Sequence, residues 1–243
     1  MAGHNKWSSI KHKKAKTDAQ KGKIFSKVAR EIMQATKLGG EDPGMNPRLR
    51  LALQKAKEVN MPNDNVKRAI QKGAGSEGEN QLEELQFEAY GPHGIAILID
   101  TLTDNRNRTI TNLKVILNKG GGNLADKGAV SYLFETKGLI FFETTEHEDS
   151  IIDLAIEKGA DDIDTKPEGE IEIITSIDNL ESLKTCYDNQ GFNYETATLT
   201  KIPSTFVSIT HEQFEKVEAL LEKIEDDDDV QEVYSNIDIK ESS

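Results

Sequence analysis

Between residues 139 and 199 the chain switches repeatedly between the two apolar periods that separate strands from helices. In order, the pattern predicts a strand at 139–142, a helix at 149–158, strands at 162–164 and 170–175, a helix at 179–189 and a strand at 192–199. That is a complete βαββαβ set, the ferredoxin-like order. Such a unit closes on itself, so the patterned segments on either side must find partners in each other. Before it stand predicted strands at 85–90 and 95–102, joined by the hairpin signal Gly91-Pro92-His93-Gly94, a helix at 109–117 that ends before Gly120-Gly121-Gly122, and a strand at 130–134. After it stand a strand at 205–209, a helix at 211–224 and a strand at 230–234. The expectation is one α/β domain inserted into a similar one, with an order and length that suggest internal duplication.

The first third of the chain has only the helical period. Ile24, Phe25, Val28, Ile32 and Met33 predict a helix over 18–38 that stops at Gly39-Gly40. Asn46-Pro47 is a cap followed by proline at the first helical position, and Leu49, Leu53, Ala56 and Val59 continue the stripe behind it. Met61-Pro62-Asn63 breaks that helix, and a third, carrying Val66 and Ile70, is expected to stop at Gly73. The fold class is therefore α+β: a basic three-helix domain with an N-terminal arm (1–79), a discontinuous α/β domain (80–136 with 203–243) and an inserted ferredoxin-like α/β domain (137–202).

Charge divides the chain at the same place. Residues 1–75 hold 17 Lys+Arg against 6 Asp+Glu, a balance of +11, and the remainder holds 13 against 37, a balance of −24, within a total of −13. A basic module joined to an acidic body points to a polyanionic partner for the basic end. The acidic domains, repelled by phosphate, are expected to point away from that partner and to meet basic ribosomal or transcription proteins. No apolar run approaches the ~20 residues of a membrane span, and the basic first residues lack the apolar core of a signal peptide. With one cysteine, Cys186, and no internal disulfide, the reading is a cytoplasmic protein, expected as a monomer.

Chemistry-bearing motifs mostly fail on inspection. Gly73-Ala74-Gly75-Ser76-Glu77-Gly78 spells GxGxxG but follows a helix, so it reads as a flexible linker. Gly120 to Gly122 lacks the Gly-Lys-Ser/Thr ending of a phosphate loop. Asp162, Asp164 and Glu170 place Pro167 where a calcium loop turns on glycine, and the acidic run 225–229 reads as a solvated turn. The five histidines form no HxxxH or HxH pair, no serine sits in GxSxG, and Cys186 reads as a small buried thiol. These residues support neither a catalytic centre nor a metal or cofactor site.

The basic segments survive the same test. Lys6, Lys11, Lys13, Lys14 and Lys16 lie within eleven residues, with Trp7 and His12 between them as flat groups that stack on bases. Lys21, Lys23, Lys27 and Arg30 continue on the first helix, and Arg48 and Arg50 on the second. Each cation that neutralises a phosphate releases counterions, so the module is expected to bind nucleic acid in a salt-sensitive, weakly sequence-specific way. Arg106 and Arg108, in Asp104-Asn105-Arg106-Asn107-Arg108, add planar donors at a strand-to-helix junction, where helix capping by an asparagine is the competing explanation.

Three stretches, MAGHNKWSSIKHKKAKTDAQKGKIFSKVAREI, YGPHGIAILIDTLTDNRNRT and GGNLADKGAVSYLF, resemble the YebC family, and the likeness in length and order covers the chain. The resemblance implies three domains and nucleic-acid binding without catalysis. It also implies one of two roles: transcriptional regulation at promoter DNA, or a ribosome-associated role that helps translation through proline-rich stretches. Its mitochondrial branch is the translational activator of cytochrome oxidase. The binding segment that it implies runs from Lys6 to Lys27, with Arg106 and Arg108 as additions. His93 stands where many relatives have glycine, and Ala125-Asp126-Lys127 replaces a commoner glycine-containing turn.

Overall fold

The computed structural model describes residues 18–75, 82–143, 146–165 and 169–239, with the side chains of 18–21 outside that description. It divides into two compact units, one formed by residues 132–206 and the other by the chain before and after them.

The larger unit opens with three helices, α1 (Asp18–Gly39), α2 (Pro47–Glu58) and α3 (Asn63–Gly75). Asn46 is the joint between the first two. Its Oδ1 accepts from the Leu49 amide at 3.0 Å, while its Nδ2 donates to the carbonyls of Ala35 and Gly40, both at 2.8 Å. One buried side chain thus caps α2 and closes the end of α1. Val28, Ile32, Ala35, Leu49, Ala52 and Ala69 form the core between the helices. The third helix runs past Gly73, because that glycine lies against α1 and does not end α3. A Cβ there would stand 2.5 Å from the Met33 carbonyl oxygen and 2.8 Å from the Thr36 Cβ; Ala74 and Gly75 complete the helix as exposed residues, and residues 76–78 of the predicted linker lie outside the described residues.

The same unit continues into a sheet of β1 (Glu83–Tyr90), β2 (Ala96–Thr103), β3 (Asn123–Ala125) and, from beyond the insertion, β9 (Val230–Ser235), in the order β3-β1-β2-β9. Helices α4 (Arg106–Lys119) and α7 (His211–Glu225) pack on it through Leu113, Leu117, Val217, Leu221 and Ile224. Strand β8 (Val207–Ile209) pairs in parallel with β10 (Ile237–Ile239) as a separate ribbon.

The predicted strand at 130–134 is corrected. The third strand of this sheet is Asn123–Ala125, residues 131–133 form a 3-10 turn, and the next strand begins at Phe134. Val130 is buried without being in a strand, because the buried Glu88 carboxylate holds the loop in place. It accepts amide hydrogens from Gly128 and Val130, both at 2.6 Å, and from Ser131 at 2.8 Å. Burial pushes this carboxyl up, but the donated hydrogen bonds outweigh it and hold the group below the ordinary carboxylate range.

The smaller unit is the ferredoxin-like one: β4 (Phe134–Phe142), α5 (Glu148–Glu157), β5 (Asp162–Thr165), β6 (Ile171–Thr175), α6 (Ile177–Gln190) and β7 (Thr196–Pro203), with sheet order β5-β6-β4-β7. Strand β7 starts four residues later than the pattern suggested. Phe142 and Tyr187 meet edge to face at 5.2 Å in its core, and Cys186 is half-buried beside them instead of buried.

The two sheets share one spatial plan in different chain order. In each, a helical crossover links a middle strand to an edge strand with the other middle strand between them: β4-α5-β5 around β6, and β2-α4-β3 around β1. The intervening strand follows the crossover in the inserted domain and precedes it in the outer one.

Candidate nucleic-acid interface

The predicted binding residues separate into three groups. Lys6, Trp7, Lys11, His12, Lys13, Lys14 and Lys16 lie outside the described residues, as does the side chain of Lys21.

A second group faces inward. Lys23 on α1 pairs with Asp226 at 3.1 Å, and one turn on, Lys27 Nζ donates to the Glu225 carbonyl oxygen at 2.5 Å. The next turn brings Arg30, whose Nη1 donates to the Leu102 carbonyl oxygen at 3.0 Å and to Asp229 Oδ1 at 2.6 Å. Helical spacing thus lays three cations of α1 along the turn between α7 and β9. Arg48 on α2 binds Glu31 with Nε and Nη2, at 2.8 and 3.2 Å, and Glu84 with Nη1 at 2.6 Å. Its pKa is raised, first by the hydrogen bond to Glu31, so its charge is fixed. Lys55 pairs with Glu232 at 2.9 Å. The outer α/β domain therefore does not point its carboxylates away from the basic helices: Glu84, Asp226, Asp229 and Glu232 meet them.

Asp229 organises that contact, and no local pattern marks it out from the other acids of its run. It is 2% exposed and accepts from Arg30, from the Thr109 hydroxyl at 2.8 Å and from Arg108 Nη2 at 2.8 Å. Burial pushes its carboxyl up, yet the hydrogen bonds from Arg30, Arg108 and Thr109 bring it below the ordinary range. The run 225–229 is the predicted helix-to-strand turn, exposed at Asp226 and Asp228, and Asp229 is its buried anchor. Arg108, which also bonds Asp104 at 2.8 Å, is drawn into the same network, and Asn105 caps α4 by accepting from the Arg108 amide at 3.0 Å.

The third group faces solvent. Arg106 is exposed at the start of α4. Arg50 is exposed on α2, where it joins Lys57 at the rim of a groove between α2 and α3. Among the described residues no group of three or more His, Cys, Asp or Glu is placed to hold a metal ion.

A basic three-helix domain ahead of two ferredoxin-like sheets, one inserted in the other, defines a class of three-domain α+β proteins. Residues 5–76 match the family profile described as the TACO1/YebC protein N-terminal domain, and residues 82–237 match that of the TACO1/YebC second and third domain. The chain belongs to the TACO1/YebC family. It is 47% identical to a protein of Geobacter sp. (strain M21) over 99% of this chain and 97% of the relative, and 45% identical to one of Geobacillus kaustophilus over 98% of each. Both relatives are named "Probable transcriptional regulatory protein". A crystal structure of a conserved hypothetical protein from Aquifex aeolicus superposes with a TM-score of 0.85 at 45% identity, covering 98% of both chains.

Proposed function

We propose that this chain is a non-enzymatic regulator of gene expression that binds RNA at the ribosome through its basic N-terminal domain. The observation that carries this reading is the division of cations on the helices. Helix α1 carries Lys21, Lys23, Lys27, Arg30 and Lys37, but Lys23, Lys27 and Arg30 are engaged by residues 225–229. A helix whose basic face is covered in this way cannot lie in a DNA major groove as a recognition helix. Available to a partner are the arm, with its lysines, Trp7 and His12, and exposed cations that include Arg50, Lys57 and Lys67 on α2 and α3 and Arg106 on α4. A basic arm with flat side chains suits irregular and single-stranded RNA, where bases are open to stacking.

The naming of the relatives as probable transcriptional regulators favours a second reading, binding to promoter DNA. Sedimentation of a native lysate at low salt separates the two. Co-migration with ribosomal fractions, lost when Lys11, Lys13 and Lys14 are replaced by alanine, is the expected result. Retention at the top of the gradient, with promoter fragments recovered on the protein, would select the transcriptional reading.

A further inference from the structure

We infer that the groove between α2 and α3 is a binding site for one unstacked nucleotide of a single-stranded RNA segment. This deepens the reading proposed above and rests on it.

The groove, open to solvent along one side, has a volume of about 500 Å³, within the range of small-molecule sites. Its floor is apolar, built from Leu53, Met61 and Val66, while Arg50 and Lys57 stand at its rim and Gln54 and Asn63 supply amides. No carboxylate is among its lining residues; Glu58, one turn beyond Gln54, accepts from the Gln54 Nε2 at 3.1 Å, so that amide faces the groove with its oxygen as the open acceptor. A cavity with a carbon floor, two cations and no acid repels cationic ligands and offers little to a neutral polar one. It complements a molecule that carries a flat apolar body beside a negative charge, which describes a nucleobase and its phosphate. The amides provide donors and acceptors for a base edge. Arg50 and Lys57 lie seven residues apart, two turns along one face of α2, so they can track successive phosphates of a strand passing over the cavity.

The floor is also held in place before any ligand arrives. Helix α2 ends in a paired closure: the Asn60 amide donates to the Lys57 carbonyl at 2.9 Å and the Met61 amide donates to the Ala56 carbonyl at 2.8 Å. These bonds require Asn60 in the left-handed region, at φ 55°. They bring Met61 back to the helical core, 7% exposed, where it lines the groove. A site that does not have to be ordered on binding keeps more of its interaction energy.

The test uses the full-length chain, a fluorescent uridine-rich RNA of about ten nucleotides, within the usual site size for such modules, and an RNA duplex of equal length. Gln54→Glu places a carboxylate at the rim with little change in volume; because it also replaces the donor to Glu58 by a like charge, its urea unfolding midpoint is measured beside its binding. Arg50→Ala with Lys57→Ala removes the rim cations from exposed positions. Each variant is expected to weaken single-strand binding about tenfold, the scale of one lost base-stacking contact, and duplex binding less than about twofold. 4-Thiouridine in the single strand is expected to crosslink to the peptide spanning residues 53–63. If the native chain binds both RNAs and the variants match it, or lose both equally, the groove is not a nucleotide site while the nucleic-acid reading stands. If the native chain binds no nucleic acid, that reading fails and this one with it. If an oligoglutamate peptide binds the native chain and is lost on Gln54→Glu while RNA binding is unchanged, the groove docks an acidic protein segment and the inference is overturned.

Discussion

Asp229 shows how one carboxylate can tie two domains together. It sits at the first residue before β9, in reach of Arg30 from α1 and of Arg108 and Thr109 from α4. A buried charge is tolerable only while its partners are present, and removal of one side leaves the others unsatisfied. Asp229→Asn is therefore expected to destabilise the chain by about 2 kcal/mol at neutral pH, below the full buried-pair cost because Arg108 is 43% exposed. The folded carboxyl titrates below its unfolded counterpart, so its contribution is complete above the unfolded value, roughly pH 4, and disappears as pH falls through the folded one. Urea unfolding should accordingly show a wide gap between native chain and variant at pH 7 and a narrowing gap below about pH 4. A gap that does not narrow would mean that the effect of the substitution is not electrostatic.

At the scale of elements, Gly73 sets two known effects against each other. Alanine improves intrinsic helix propensity by up to about 1 kcal/mol. Its Cβ, however, would meet backbone of α1 at 2.5 Å, and backbone does not yield as a flexible side chain does. Overpacking of this kind costs about 1 to 3 kcal/mol. Gly73→Ala is expected to lower the thermal midpoint, and a rise would show that α1 and α3 separate without penalty.

For the arm, replacing Lys11, Lys13 and Lys14 with alanine should reduce the log-log salt slope of nucleic-acid binding by about 2 on a single strand and about 2.7 on duplex DNA. Anisotropy titrations over a range of salt measure this directly, and an unchanged slope would remove the arm from the interface.

These elements also mark where sequence is informative. Helix α2 was legible because Asn46-Pro47 announces its start by local chemistry, and the order of the inserted domain because its apolar runs are long enough to display a period. Strand β3 has three residues, too few for a period, and β10 likewise. The run 130–134 imitated a strand because it is apolar, but Val130 is buried in the Glu88-bound loop while Tyr132 in the following 3-10 turn is 73% exposed. The site was legible as charge but not as geometry: Arg30 and Asp229 are 199 residues apart, and nothing local distinguishes an arginine that meets phosphate from one that meets a distant carboxylate.

For the whole molecule, the acidic balance beyond residue 75 includes carboxylates that compete for the cations of the basic domain. Glu84 and Glu232 hold Arg48 and Lys55 at 2.6 and 2.9 Å with half- to one-third-exposed side chains. Pairs of that exposure contribute about 0 to 1 kcal/mol each to stability, so they can be removed without unfolding the chain. Their electrostatic effect on a polyanion is larger, because each carboxylate both repels phosphate and screens a cation that would attract it. Glu84→Gln with Glu232→Gln moves the formal net charge from −13 to −11. It leaves Arg48 its contact with Glu31 and removes the carboxylate charges that face Arg48 Nη1 and Lys55 Nζ. The doubly substituted chain is expected to keep its unfolding midpoint and to bind RNA several-fold more tightly at low salt, with a steeper salt slope by up to about 1.4 on a single strand, the contribution of two added phosphate contacts. Anisotropy at several salt concentrations, paired with urea unfolding of the same preparation, tests it. Tighter binding with an unchanged slope would trace the gain to lessened repulsion alone. Unchanged affinity would mean that Arg48 and Lys55 join the two domains and take no part in recognition.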